Sequence, residues 1–127
     1  RPRPTPSGPA CSFGWRGRPL PFVPYAGMQA EFARAQAEKR PVRLVGPHAE
    51  GRRRNPDRVR AARIPVERSR GPLLVAGGGR DEVWPSAEMA TAIARARRAA
   101  GLPTELLVFP DAGHGLGGDG WSPIMAQ

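Results

Sequence analysis

Pro72-Leu73-Leu74-Val75-Ala76-Gly77-Gly78-Gly79-Arg80-Asp81-Glu82-Val83-Trp84-Pro85-Ser86 is the stretch that decides the fold. Leu73 to Ala76 is an unbroken apolar run, which suits a parallel strand covered on both faces. Gly77-Gly78-Gly79 then lets the chain turn sharply, and Ser86 is placed to cap a helix over Ala87–Ala100. Met89, Ile93, Ala96 and Ala100 form the expected buried stripe of that helix, with Arg95, Arg97 and Arg98 mostly off it. Gly101 supplies the stop, and Pro103 confirms it. Glu105 to Phe109 reads as a second buried strand, followed by Pro110-Asp111-Ala112-Gly113-His114-Gly115. Strand, helix and strand in this order make a βαβ unit, expected to be parallel and right-handed.

The chain before this unit is less regular. Residues 1–12 read as a linker or flexible start. Trp15 to Tyr25 is rich in proline and arginine and forms no regular helix; it is expected to pack as an extended strap. Good helix formers run from Gly27 to Lys39, with Met28, Phe32 and Ala35 on one face, and Pro41 ends the run. Residues 42–54 contain Gly46-Pro47 and Gly51-Arg52-Arg53-Arg54 and read as a loop with a charge run. Asn55-Pro56-Asp57 gives an N-cap, a proline at the first helical position and an acidic first turn for Val59 to Arg63. Ile64-Pro65-Val66 leads into the first strand. Residues 115–127 read as a flexible tail.

Functional groups in parallel sheets gather beyond the carboxyl ends of the strands. Asp81 and His114 both lie there, and neighbouring strands stand only about 5 Å apart. Histidine exchanges protons near neutral pH, and a buried carboxylate fixes its tautomer and stabilises the imidazolium. An acid and then a histidine, each past a strand, is the second half of a nucleophile–acid–histidine triad. Read singly, Asp81 would cap a turn and His114 would be a polar loop residue. Trp84 is expected to pack over the Asp81 turn and hold it. The sequence contains no Gly-x-Ser/Cys-x-Gly elbow. Gly8-Pro9-Ala10-Cys11-Ser12-Phe13-Gly14 has the right residue types but the wrong spacing, so Cys11 is not read as the nucleophile.

Composition narrows the classes. The 127 residues suit one modest domain. The chain starts at Arg1, without an initiator methionine, so a processed or excerpted product is expected. Cys11 is the single cysteine, which excludes an internal disulfide, and with His48 and His114 it forms no zinc-type ligand set. No metal or cofactor is expected. The formal net charge is +9, yet Lys39 is the only lysine in a chain rich in Arg, Ala, Gly and Pro. That pattern fits a GC-rich coding bias, and no nucleic-acid partner is expected. Arg52-Arg53-Arg54 could fork onto phosphate oxygens, although a solvated charge run is the commoner case. His48 reads as a loop residue, and Gly117-Gly118-Asp119-Gly120 as part of the tail. Nothing approaches the run of about 20 apolar residues that a membrane span requires. The expected location is cytoplasmic.

Ile64-Pro65-Val66-Glu67-Arg68, Gly71-Pro72-Leu73-Leu74, Gly78-Gly79-Arg80-Asp81-Glu82-Val83-Trp84-Pro85-Ser86 and Ala112-Gly113-His114 resemble a known family. It is the acyl-CoA thioester hydrolase / bile acid-CoA:amino acid N-acyltransferase C-terminal domain family, a branch of the α/β-hydrolases. Trp15-Arg16-Gly17-Arg18-Pro19-Leu20-Pro21-Phe22 looks like the family's segment after the nucleophile region, so the resemblance runs from about Phe13 to Gly115. Gly-x-x-Asp and Ala-Gly-His are generic to α/β-hydrolases; Val-Trp-Pro-Ser and Ile-Pro-Val-Glu are more specific.

The resemblance implies an α/β fold: the C-terminal part of an α/β-hydrolase, with parallel strands, a crossover helix and an irregular Pro/Arg-rich N-terminal segment. Residues 1–127 would be one partial domain. It also implies Asp81 as triad acid, His114 as triad base, and an acyl-CoA or other acyl thioester as substrate in fatty acid metabolism. The Ser or Cys nucleophile would lie upstream, and the chain alone would be inactive. Arg80 stands where the family commonly carries an acidic residue. Two other readings remain: a dienelactone or carboxylic ester hydrolase, and a non-catalytic basic binding protein derived from a degenerate hydrolase.

Overall fold

The computed structural model describes residues 11–115. The strap expected at the start is in part a hairpin. β1 (Gly14–Trp15) pairs antiparallel with β2 (Arg18–Pro19), in the register Gly14↔Pro19 and Trp15↔Arg18. Arg16 and Gly17, with φ of 48° and 75°, supply the two left-handed residues that a tight hairpin turn requires. The irregular chain that follows does pack: Ala26 N–H donates to the Pro47 carbonyl at 3.0 Å, and Phe22 faces the Arg58 guanidinium. Phe13 and Trp15, in contrast, stay exposed.

α1 (Met28–Ala37) forms as expected, with its inward face turned away from Phe32 toward Glu31. Glu31 and Ala35 are buried, Met28 is half-buried and Phe32 is exposed. Lys39, with φ 49°, ends the helix before Pro41 is reached. Its N–H donates to the Gln36 carbonyl, and Arg40 N–H reaches back to the Ala35 carbonyl.

Residues 45–54 are not a loop. They form α2 (Val45–Arg54). Pro47 sits in the first turn, where its missing N–H leaves no bond unmade. Leu44 and Val45 donate their N–H groups to the Glu82 carbonyl at 2.8 and 2.9 Å. Glu50 pairs with Arg53 and Arg54 one turn on. Gly51 lies so close to the Pro24 carbonyl that a side chain would collide with it. Glycine and proline are therefore tolerated here by tertiary contact. α3 (Pro56–Ala61) has its proline at the start as expected, but Asn55 does not cap it. The Asn55 amide instead donates back to the Gly51 carbonyl at 2.8 Å. A short 3-10 turn at Val66–Arg68 comes before the sheet.

β3 (Leu73–Gly78), α4 (Ser86–Ala99) and β4 (Thr104–Phe109) make the βαβ unit. The strands are parallel, in register from Leu73↔Thr104 to Gly78↔Phe109. α4 ends at Gly101 (φ 69°), with Gly101 N–H on the Arg98 carbonyl and Leu102 N–H on the Arg97 carbonyl. The sheet is not covered on both faces by the described residues. α4 packs on both strands, whereas Leu74, Leu107 and Phe109 remain exposed.

The buried stripe of α4 is also rotated from the expected one. Ala90, Ala94 and Arg97 face inward, Ile93 and Ala96 are half-buried, and Met89 and Ala100 are exposed. Small residues let the helix lie close: a side chain at Gly77 would strike the backbone of Ser86 and Ala87.

Arg97 is the largest correction. It is 1 % exposed and is the largest fully buried side chain among the described residues. Its guanidinium donates to the Thr104 hydroxyl at 3.0 Å and to the carbonyls of Val66 (2.8 Å), Ser69 (2.6 Å) and Gly71 (2.5 Å). Its fork of five donors thus ties the irregular 66–71 segment to the start of the sheet.

Candidate active site

The two strand ends of the βαβ unit are stitched together by backbone. Gly79 N–H donates to the Phe109 carbonyl at 2.9 Å, and Arg80 N–H to the Ala112 carbonyl at 3.0 Å. The glycine run permits this through close approach. None of Gly77, Gly78 and Gly79 has a positive φ, so the turn expected there is not their purpose. A side chain on Gly78 would meet the carbonyls of Ala112 and Gly113, and one on Gly79 would meet that of Pro110. The loop carrying His114 therefore lies directly on the end of β3.

Asp81 follows that contact and is 7 % exposed. Its Oδ1 accepts the N–H groups of Val83 at 2.8 Å and Trp84 at 3.2 Å. Its Oδ2 stands 3.1 Å from His114 Nδ1. The turn-capping and histidine-holding readings of Asp81 are thus both realised, one on each oxygen. Burial alone would raise its pKa. The Ser86 hydroxyl, the His114 ring and the two backbone N–H groups outweigh burial and hold the carboxyl below its ordinary range. Asp81 is accordingly an anion at neutral pH.

His114 has its side chain 19 % exposed. The edge of Trp84 packs against the ring, with centroids 4.5 Å apart and planes at 87°. Trp84 therefore holds the histidine with its indole and the aspartate with its backbone N–H. Among the described residues, the only side-chain hydrogen bond of His114 is the one to Asp81. Asp81 accepting from Nδ1–H leaves Nε2 as a proton acceptor. That arrangement suits general base catalysis on a nucleophile brought to Nε2.

The other singled-out residues lie elsewhere. The Cys11 thiol stays with the backbone of Phe13, its Sγ 2.9 Å from that carbonyl. His48 is on α2, edge-on to Tyr25, with Nδ1 buried and unpartnered. Burial, then the nearby Arg52 charge, lowers its pKa against the opposing pull of Glu88, so it is neutral at pH 7. Arg53 and Arg54 are held by Glu50, and Arg52 faces Glu88 at 3.5 Å, so each already has a carboxylate. Arg80 pairs with Asp111 at 3.1 Å, but both are exposed and the pair adds little. Among the described residues, no group of three or more His, Cys, Asp and Glu is placed to hold a metal, and no helix is long and apolar enough to cross a membrane.

Sequence reasoning missed the support that α2 gives this site. The N–H groups of Leu44 and Val45 grip the residue next to Asp81. The available signal was Glu50 with Arg53 and Arg54 at helical spacing, which argued for a helix where glycine and proline argued for a loop.

The family model described as BAAT / Acyl-CoA thioester hydrolase C terminal matches residues 24–118, a span that contains both Asp81 and His114. No curated protein and no solved structure matches the chain.

Proposed function

The chain belongs to the BAAT / acyl-CoA thioester hydrolase C-terminal family, and from that premise we propose that it is the C-terminal part of an α/β-hydrolase cleaving acyl-CoA thioesters. Asp81 is the triad acid and His114 the triad base. The Ser or Cys nucleophile, and the backbone N–H groups of the oxyanion hole, come from residues upstream of Arg1. The observation that carries this reading is the contact between His114 Nδ1 and a buried Asp81 whose other oxygen is pinned by two N–H groups.

In the proposed reaction His114 Nε2 takes the proton of the nucleophile as its O or S bonds to the thioester carbonyl carbon. Collapse of the tetrahedral intermediate breaks the carbon–sulfur bond, and the imidazolium returns the proton to the departing coenzyme A thiolate. Water, or an amine in an acyltransferase, then attacks the acyl-enzyme while His114 takes its proton. The second collapse frees the acid or amide and reprotonates the nucleophile. Asp81 keeps Nδ1 protonated throughout and stabilises each imidazolium.

Residues 1–127 alone then have no His114-dependent turnover. Purified 1–127 and its His114→Ala variant are expected to leave palmitoyl-CoA equally intact in a thiol-release assay. Turnover by the unaltered chain that is lost in the variant would mean that the nucleophile lies within these residues.

A further inference from the structure

Glu31 is a buried carboxylate in the first turn of α1, its side chain only 6 % exposed. The left-handed turn at Lys39 folds the chain back, so that Arg40 Nη1 reaches Glu31 Oε1 at 2.6 Å and Nη2 reaches Oε2 at 3.2 Å. Arg43 N–H donates to the same Oε1 at 2.8 Å. These bonds, Arg40 first, take the Glu31 pKa down to about 2.

The next two N–H groups, of Leu44 and Val45, both go to the Glu82 carbonyl. That carbonyl shares one planar peptide unit with the Val83 N–H, and in a trans unit the two point in opposite directions. The Val83 N–H is the shorter of the two backbone bonds to Asp81 Oδ1. Three consecutive N–H groups, at positions 43 to 45, therefore join Glu31 to the peptide that orients the Asp81 carboxylate.

We propose that Glu31 is a positioning residue for the Asp81–His114 pair, acting through the Arg43 N–H and the Glu82–Val83 peptide; this rests on the hydrolase reading above. Glu31 touches no reacting atom. It fixes the 43–45 segment, that segment fixes the peptide, and the peptide aims Asp81. A misplacement of order 1 Å in such a system costs up to about 100-fold in rate.

The test uses the protein encoded by the complete reading frame, with palmitoyl-CoA as substrate. Glu31→Met, which removes the acceptor and keeps the bulk, is expected to lower kcat by about 10- to 100-fold with KM little changed. It should also weaken the low-field proton resonance of the His114 Nδ1–H hydrogen bond. Arg40→Met leaves the Arg43 bond in place, so it should lower the melting temperature while kcat and the resonance stay near wild type. Should Glu31→Met fail to fold, Glu31→Asp is one methylene too short to hold both partners and should show a smaller loss of both signals. Unchanged kcat and resonance in the folded Glu31 variant, or an equal loss of kcat in Arg40→Met, would overturn the proposal. Wild-type hydrolysis that survives His114→Ala would defeat the hydrolase reading instead. The resonance alone would then decide whether Glu31 orients the pair.

Discussion

Asp81→Asn is expected to lower kcat of the protein from the complete reading frame by about 10⁴-fold while leaving it folded. The size of the effect follows from which oxygen does what. Oδ1 accepts two backbone N–H groups, from Val83 and Trp84, so the asparagine must keep its carbonyl oxygen there. Its NH₂ then occupies the Oδ2 position, 3.1 Å from His114 Nδ1 in the native pair. An NH₂ group there forces Nδ1 to be the acceptor and moves the ring proton to Nε2. The nucleophile would meet a donor where it needs a base, and no negative charge would balance an imidazolium. Far-ultraviolet circular dichroism and palmitoyl-CoA hydrolysis, measured on the same preparation, check the prediction. Native structure with native kcat would remove Asp81 from the mechanism.

Arg97→Met is expected to destabilise the fold by about 2–4 kcal/mol, a large share of what holds a domain together. Methionine fills much of the volume but donates nothing. The carbonyls of Val66, Ser69 and Gly71 and the Thr104 hydroxyl all lose their Arg97 partner. An acceptor that water does not reach costs about 1–3 kcal/mol when left unsatisfied. Ser69 and Gly71 lie in exposed chain and regain water, so the half-buried Val66 and Thr104 carry most of the deficit. The apolar core cannot absorb that loss, because among the described residues its buried hydrophobic members are Ala35, Ala90 and Ala94. Exposed Arg95 on the same helix is the control, and Arg95→Met should change stability by no more than about 0.5 kcal/mol. Denaturant unfolding of both variants reads this directly, and equal midpoints would show that the guanidinium cage carries no net stability.

The parts of the fold that could be read from residues alone were those with strong local punctuation. The apolar run at Leu73, the stop at Gly101 and the second run ending at Phe109 set strand, helix and strand to within a residue or two. They also placed Asp81 and His114 beside each other. Local pattern failed where tertiary contact decides. α2 carries Gly46, Pro47 and Gly51, and it is helical because Glu82 accepts from its start and Pro24 packs against its glycine.

The inward faces of α1 and α4 were misjudged in part, for a related reason. Hydrophobic periodicity picks out Phe32 and Met89, whereas close packing against backbone selects alanine. A periodicity argument also puts arginine in solvent. It does not foresee a ring of main-chain carbonyls that gives Arg97 a dry place, or an arginine that folds back onto Glu31. Spacing found Asp81 and His114; what holds them depended on contacts between residues far apart in the chain.

The rate of palmitoyl-CoA hydrolysis by the protein from the complete reading frame, with His114 and with His114→Ala, tests the central claim most directly. With Asp81 and His114 as the acid–base half of the triad, the substitution lowers kcat by about 10⁴-fold or more. Equal rates in the two proteins would contradict it.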